Sequence, residues 1–182
     1  MVETYKKIEG IENYSVSDFG NVRNDKTGRI LKPGVNSTGY YTVSLTQDKR
    51  KATRKIHRLV ARAFLLNPDN KPQVDHIDNN QLNNNLNNIR WVTLSENMQN
   101  TTKRSNNTSG TKGVCWSEKK QKWRAYITIN GKQINLGSFI NKDEAVNIRI
   151  QRAKDEFGEF INKCELVITL FKLFYLLNII PT

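Results

Sequence analysis

The sequence is poor in the residues that build metal clusters and covalent staples. Its 182 residues include 2 cysteines, Cys115 and Cys164, and 2 histidines, His57 and His76, with no CxxC pair and no Cys/His grouping. A Cys/His zinc frame and a disulfide scaffold are thereby excluded, and the usage fits a reducing interior. Acidic side chains are outnumbered: Asp and Glu total 17 against 29 Lys and Arg, a formal net charge of +12 with pI near 9.8. Such a surplus points to a polyanionic partner, because each cation set beside a phosphate releases a counterion. With 37% hydrophobic and 25% charged residues, one large core is not indicated. The length suits one ordinary domain or two to three small ones. The opening MVETYKKIEG has no apolar core, so a signal peptide is not expected and an intracellular protein is. The one long apolar run, residues 166–180, is shorter than a usual spanning helix and is interrupted by Lys172 and Asn178. A packed helix, a dimer contact, a weak membrane tail and a non-functional extension all stand open there. Packing or extension is favoured, and a membrane role is not expected.

What the chain does have is concentrated between His57 and Asn100. Val74-Asp75-His76-Ile77-Asp78 sets a carboxylate beside an imidazole in an alternating run that reads as a short strand. Neighbours on a strand point to opposite faces, so Asp75 and His76 can share a ligand only if the strand twists or belongs to a tight hairpin. An Asn-rich turn follows, and then Ile89-Arg90-Trp91-Val92-Thr93, whose β-branched and aromatic content suits a partner strand. Ser95 is placed to cap a short helix, Glu96 to Asn100. Oxygen donors from Asp and Asn suit a hard divalent cation, Mg²⁺ or Mn²⁺, held by few protein ligands plus substrate phosphate. A neutral histidine beside such a cation is the usual general base, and the pair over a phosphodiester is nuclease chemistry.

This stretch resembles the HNH nuclease motif in the form found in phage and viral homing endonucleases. The resemblance implies His76 as general base, Asp75 and Asn97 as metal ligands, and Asn88 as the residue bracing the loop; Ile89 stands where Leu is common. It implies one metal per site, and one such site cuts one strand.

Upstream, residues 5–54 read as small β-structure, with breaks at Asp18-Phe19-Gly20-Asn21, Pro33-Gly34 and Thr38-Gly39. Strands are expected at Tyr14–Ser17, Val22–Asn24, Arg29–Lys32 and Tyr40–Leu45, with Tyr41, Val43 and Leu45 on a packed face. Ile11-Glu12-Asn13-Tyr14-Ser15-Val16-Ser17-Asp18-Phe19-Gly20-Asn21-Val22 resembles the NUMOD4 module that commonly precedes HNH domains. Lys55 to Leu66 is expected to be helical, with Ile56, Leu59, Val60, Ala63 and Phe64 at helical spacing and Asn67-Pro68 ending it. His57 on that helix has two readings, a phosphate or metal-site contact and a packed helix residue. Arg58 and Arg62 are either phosphate ligands or a solvated face.

Residues 101–111 read as a polar linker, with Lys103 and Arg104 as backbone contacts or ordinary solvated residues. Beyond it, three antiparallel strands are expected around Val114-Cys115-Trp116, Trp123–Ile129 and Gln133–Phe139, with Asn130-Gly131 as a hairpin turn. A helix from Asn141 to Phe157 would follow, with Ala145, Ile148, Ala153 and Phe157 as core positions. Gly113-Val114, Lys122–Ile127, Leu136-Gly137-Ser138-Phe139 and Glu144-Ala145 resemble the AP2 DNA-binding domain, in which the sheet lies in the major groove. Alternation would then put Trp123, Ala125, Ile127 and Ile129 against the helix. Arg124, Tyr126 and Thr128 would face DNA beside Lys112 and Lys119. Cys115, Tyr126 and Thr128 depart from the charged readers usual in plant members, so base specificity does not carry over.

The expectation is a modular α+β protein: a small β module at 1–53, a ββα-metal nuclease core at 54–100, a linker at 101–111, an AP2-like unit at 112–163 and an apolar tail at 164–182. Its expected function is metal-dependent endonuclease action of homing type on double-stranded DNA, by a monomer, with no small-molecule substrate. The alternative is an inactive AP2-like regulator or a degenerate mobile-element copy.

Overall fold

The structure, a computed structural model, describes residues 2–101 and 107–161. Lys103, Arg104, Cys164 and the apolar stretch 166–180 lie outside them. The fold is α+β, as expected, with antiparallel sheets throughout the described residues. It divides into two compact units, Met1–Thr93 and Leu94–Thr182.

The first unit opens with a meander of β1 (Tyr5–Lys7), β2 (Tyr14–Ser17) and β3 (Val22–Asn24). A second meander joins β4 (Gly34–Val35), β5 (Tyr41–Gln47) and β6 (Arg50–Lys55). Val43 and Leu45 are buried on one face of β5, as their alternation predicts. The strand expected at Arg29–Lys32 is reduced to an isolated bridge between Arg23 and Ile30. Pro33, which has no N–H to give a ladder, follows it, and the paired strand begins at Gly34. The turn joining β5 to β6 is Asp48-Lys49, both at positive φ (49° and 62°).

Helix α1 (Ile56–Phe64) follows directly, and β7 (Gln73–His76) then pairs with β8 (Ile89–Val92). One core serves all of these elements. Val16 and Val22 from the first meander, Val43 and Leu45 from the second, Ile56, Leu59 and Val60 from α1, and Val74 and Ile89 from the hairpin pack as a single cluster. The boundary expected at 53/54 therefore does not separate two cores. Neither meander alone has enough apolar surface to stand by itself.

The second unit starts with α2 (Leu94–Asn100), so Ser95 lies inside the first turn of the helix rather than capping it. The sheet β9 (Val114–Ser117), β10 (Lys122–Ile129) and β11 (Lys132–Phe139) has β10 in the centre. Asn130 and Gly131 turn β10 into β11 with φ of 49° and 77°, the conformation that an Asn-Gly hairpin favours. Helix α3 (Lys142–Phe157) covers one face, and its cap Asn141 accepts a hydrogen bond from the Asp143 N–H at 2.7 Å. Ala125 and Ile127 on that face are buried against Ala145, Val146, Ile150 and Ala153, with Trp123 and Ile129 at the edges. Ile148, expected in this core, is 42% exposed. The buried stripe runs through 145, 146, 149, 150 and 153, and at 3.6 residues per turn position 148 falls on the far side.

Candidate active site

Asp75 and His76 occupy the last two positions of β7, opposite Arg90 and Ile89. Their side chains take different directions, as strand alternation requires, yet both are buried, at 7% and 4% exposure. Asp75 Oδ2 accepts from Arg90 Nε at 3.1 Å and from its NH2 at 2.9 Å, a charge-assisted cross-strand pair.

His76 turns toward α1. Its ring meets that of His57 edge-on, with centroids 4.9 Å apart at 71°, and that of Tyr40 at 5.9 Å. Tyr40 also packs against His57 at 4.8 Å and carries the Lys55 ammonium 4.3 Å above its face. His76 Nε2 lies 3.2 Å from Asn84 Oδ1. Burial lowers the pKa of His76 below the ordinary histidine value, although Asn84, Asp78 and Asp75 pull the other way. His57 is pushed down to about 3 by burial first, then by His76, Lys55 and Arg58. Both rings are therefore neutral at neutral pH, and the packed-residue reading of His57 is the one its burial supports. Its Nδ1 has no hydrogen-bond partner among the described residues.

The Asn-rich loop that joins β7 to β8 is built around Asp78 and Asn88. Asn88 Nδ2 donates to Asp78 Oδ1 at 2.8 Å and to the Asn83 carbonyl at 2.9 Å. Asn88 Oδ1 accepts from the Asp78 N–H at 3.0 Å. Asp78 also accepts from the Asn80 N–H and from Asn83 Nδ2, both at 2.8 Å. Burial would raise the Asp78 pKa, but the hydrogen bonds from Asn83, Asn80 and Asn88 outweigh it and hold the carboxylate below its ordinary value. Through these bonds Asn88 ties the start of the loop to its end.

Asn97 lies half-buried on α2 in the second unit. Of the residues singled out for DNA, Arg62 is exposed and Arg58, one turn before it, donates to the Pro72 carbonyl at 3.3 Å. Arg124 and Thr128 are exposed and Tyr126 half-buried, on the sheet face away from α3. Lys119 is exposed in the β9–β10 turn. Lys112 sits elsewhere: its ammonium donates to the Met98 carbonyl and to Thr101 Oγ1, both at 3.0 Å, at the negative end of α2. Asn84, Arg90 and Tyr40 had not been singled out for the site. Arg90 could have been found by counting hairpin register back from Asp75, whereas Asn84 is one of many asparagines and Tyr40 is distant in sequence.

The chain's likeness to known proteins falls on these same elements. Residues 3–46 match the NUMOD4 motif and residues 54–99 match the HNH endonuclease model. Over 97 residues, 53% of this chain, it is 43% identical to uncharacterized HNH endonuclease L245 of Acanthamoeba polyphaga mimivirus, covering 29% of that protein. It is 38% identical over 97 residues to DNA endonuclease I-HmuI of Bacillus phage SP01, covering 56% of it. In each case the matched stretch spans less than two thirds of the relative's length. A solved structure described as DNA binding and cleavage by the HNH homing endonuclease I-HmuI superposes with a TM-score of 0.52 at 30% identity, over 85% of this chain and 83% of that one. The chain belongs to the HNH endonuclease family. Within it, the NUMOD4-matching strands and the HNH hairpin form one packed body. Among the described residues no helix is long and apolar enough to cross a membrane.

Proposed function

We propose that this HNH protein is a metal-dependent DNA endonuclease, of homing type, in which His76 is the general base. The observation that carries the reading is a neutral, sterically fixed imidazole at His76 directly after a buried carboxylate at Asp75. His76 takes a proton from water, whose oxygen bonds to the scissile phosphorus as the bond from phosphorus to the 3′ oxygen breaks. The departing oxygen takes up a proton from solvent, leaving a 5′-phosphate and a 3′-hydroxyl. Asp75 and Asn97 are the proposed ligands of a divalent cation. Their donors are a carboxylate and a carboxamide oxygen, the hard set that fits Mg²⁺ or Mn²⁺. Such a cation, when bound, supplies neutralisation of the phosphate charge and stabilisation of the 3′ oxygen. Arg90 holds Asp75 in one orientation, and Asn88 keeps the loop after the base in register.

Double-stranded DNA is the proposed substrate and partner. Arg62 and Lys119 are exposed cations suited to backbone phosphates, while Arg124, Tyr126 and Thr128 present a polar strand face that fits the AP2-like mode of sheet against groove. The test is nicking of supercoiled plasmid in Mg²⁺, Mn²⁺ or EDTA, wild type beside His76→Ala. Metal-dependent nicking that disappears in the variant is the expected result. Binding without nicking in any metal would instead favour the inactive regulator.

A further inference from the structure

On the face away from α3, the sheet of the second unit has an open end and a roofed end. Arg124 lies at the open end, on β10 opposite Cys115 and Ser138. Toward Thr128 a cavity of about 580 Å³ separates that face from α2, a size within the roughly 300–1,000 Å³ of small-molecule sites. Helix α2 is tied over the sheet at both of its ends. Ser95 Oγ donates to Asn130 Oδ1 at 3.5 Å in the β10–β11 turn. Lys112, just before β9, donates to the Met98 and Gln99 carbonyls at 3.0 and 3.4 Å. Ser95, Met98 and Gln99 share the helix face that lines the cavity, because residues three and four apart are neighbours. Asn97 falls on the opposite side of the helix, so the cavity is separate from that proposed metal ligand.

The lining has a definite chemistry. Tyr126 supplies an aromatic ring, and its N–H donates to the Gly113 carbonyl at 2.8 Å, which fixes the strand at that point. Gln99, Gln133, Ser95 and Thr128 add side chains that both donate and accept hydrogen bonds, the mixed pattern that the edges of nucleobases present. Lys112 and Arg149 are the charged lining residues, and among the described residues no Asp or Glu joins them. A hard metal cation finds no carboxylate there, whereas a phosphate-bearing ligand meets a positive field. A duplex cannot enter a space of this volume, but one unstacked nucleotide can. We propose that the cavity receives a single unstacked nucleotide of bound DNA, its base stacked on Tyr126 and its edge read by Gln99 and Gln133. The proposal rests on DNA being the partner held at the Arg124 end of the sheet.

The chain has 2 methionines, Met1 and Met98, so a methyl-¹³C-methionine label on the full chain places an NMR reporter in the cavity, assigned with Met98→Leu. Deoxynucleoside monophosphates should shift the Met98 signal, and inorganic phosphate at equal concentration should not. A short duplex with one mismatched pair should shift it too. That duplex should bind about 10-fold more tightly than its fully paired counterpart, because the cost of unpairing is already removed. Gln133→Leu, at an exposed position, should abolish the shift and the mismatch preference while binding of the paired duplex, read by anisotropy, persists. Tyr126→Leu should weaken the mismatched complex about 10-fold. A Met98 signal that stays fixed while duplexes bind, or that answers equally to phosphate, would overturn the site and leave the DNA reading standing. A response to the monophosphates with no duplex bound would refute DNA as the source and make the occupant a free nucleotide.

Discussion

The two units place their polar groups in opposite ways. In the first, His57, Asp75, His76, Asn84 and Asn88 are buried, with Asp75 held by Arg90, His76 by Asn84 and Asn88 by Asp78. In the second, Arg124 and Thr128 project from an exposed sheet face whose other side is an ordinary apolar core. A buried polar network loses its working geometry when one member is lost, because each partner is left desolvated and unmatched. An exposed face contributes through charge and shape, and its members act nearly independently. On the proposed function, the fixed proton acceptor belongs to the first kind of surroundings and recognition of a polyanion to the second.

The sharpest break in the comparison is His76→Ala. Removing a general base costs typically 10²–10⁴-fold in rate, so plasmid nicking should fall by about that factor while DNA binding, read by gel shift, survives. Loss of binding alongside nicking would mean that the two units do not divide the labour in this way. Next is Arg90→Met, which leaves the Asp75 carboxylate buried without its guanidinium. Breaking one side of a buried pair costs about 3–5 kcal/mol, to be read as a lowered urea midpoint. Arg124→Met, of the same chemistry on the open face, should leave that midpoint unchanged.

Acid should separate the units next. The unfolded chain protonates His57 near 6.5, whereas the folded chain, with that group depressed by burial, does so only near about 3. A folded pKa below the unfolded one means that the unfolded state binds more protons in this window. The first unit should therefore be most stable above pH 6.5 and lose stability as pH falls from there toward 3. The depressed His76 adds in the same direction. The loss should be on the order of a few kcal/mol, seen as a urea midpoint that declines between pH 6.5 and 4.5, above the ordinary range for Asp and Glu. His57→Phe should flatten that decline.

The sequence was most legible where a local rule controls the outcome. The β10 alternation put Ala125 and Ile127 inside, Asn130-Gly131 made its hairpin, and Asn141 capped α3. Adjacent Asp75 and His76 already contained the strand geometry that sends them to different neighbours. What stayed hidden depends on packing between distant segments. The single core of the first unit joins residues as far apart as Ile8 and Ile89, so a module boundary drawn from family likeness could not foresee it. The Asp48-Lys49 turn carries none of the Asn-Gly or Asp-Gly signal, and the flanking strands impose its positive φ. Asn84 was one member of an Asn-rich run, and only the closed loop gives it a partner that its neighbours lack. Ile148 was misplaced because apolar character alone does not say which side of α3 the sheet covers.

The smallest expected effect sharpens the comparison most, since it asks whether the open face acts at all. Arg124 is exposed on the side of β10 away from α3. Arg124→Ala should leave folding and the kcat of nicking unchanged. If the guanidinium meets a phosphate, affinity should fall about equally for all sequences and the slope of log K against log salt should decrease by about 1. If it reads a base edge, the loss should be about 1–3 kcal/mol on the preferred site and absent on random DNA, with the cut-site distribution relaxing. Fluorescence anisotropy with a cut-site duplex and a random duplex, over a salt series, distinguishes the two. An unchanged affinity on both duplexes would remove this face from recognition and leave DNA contact to cations such as Arg62 in the first unit.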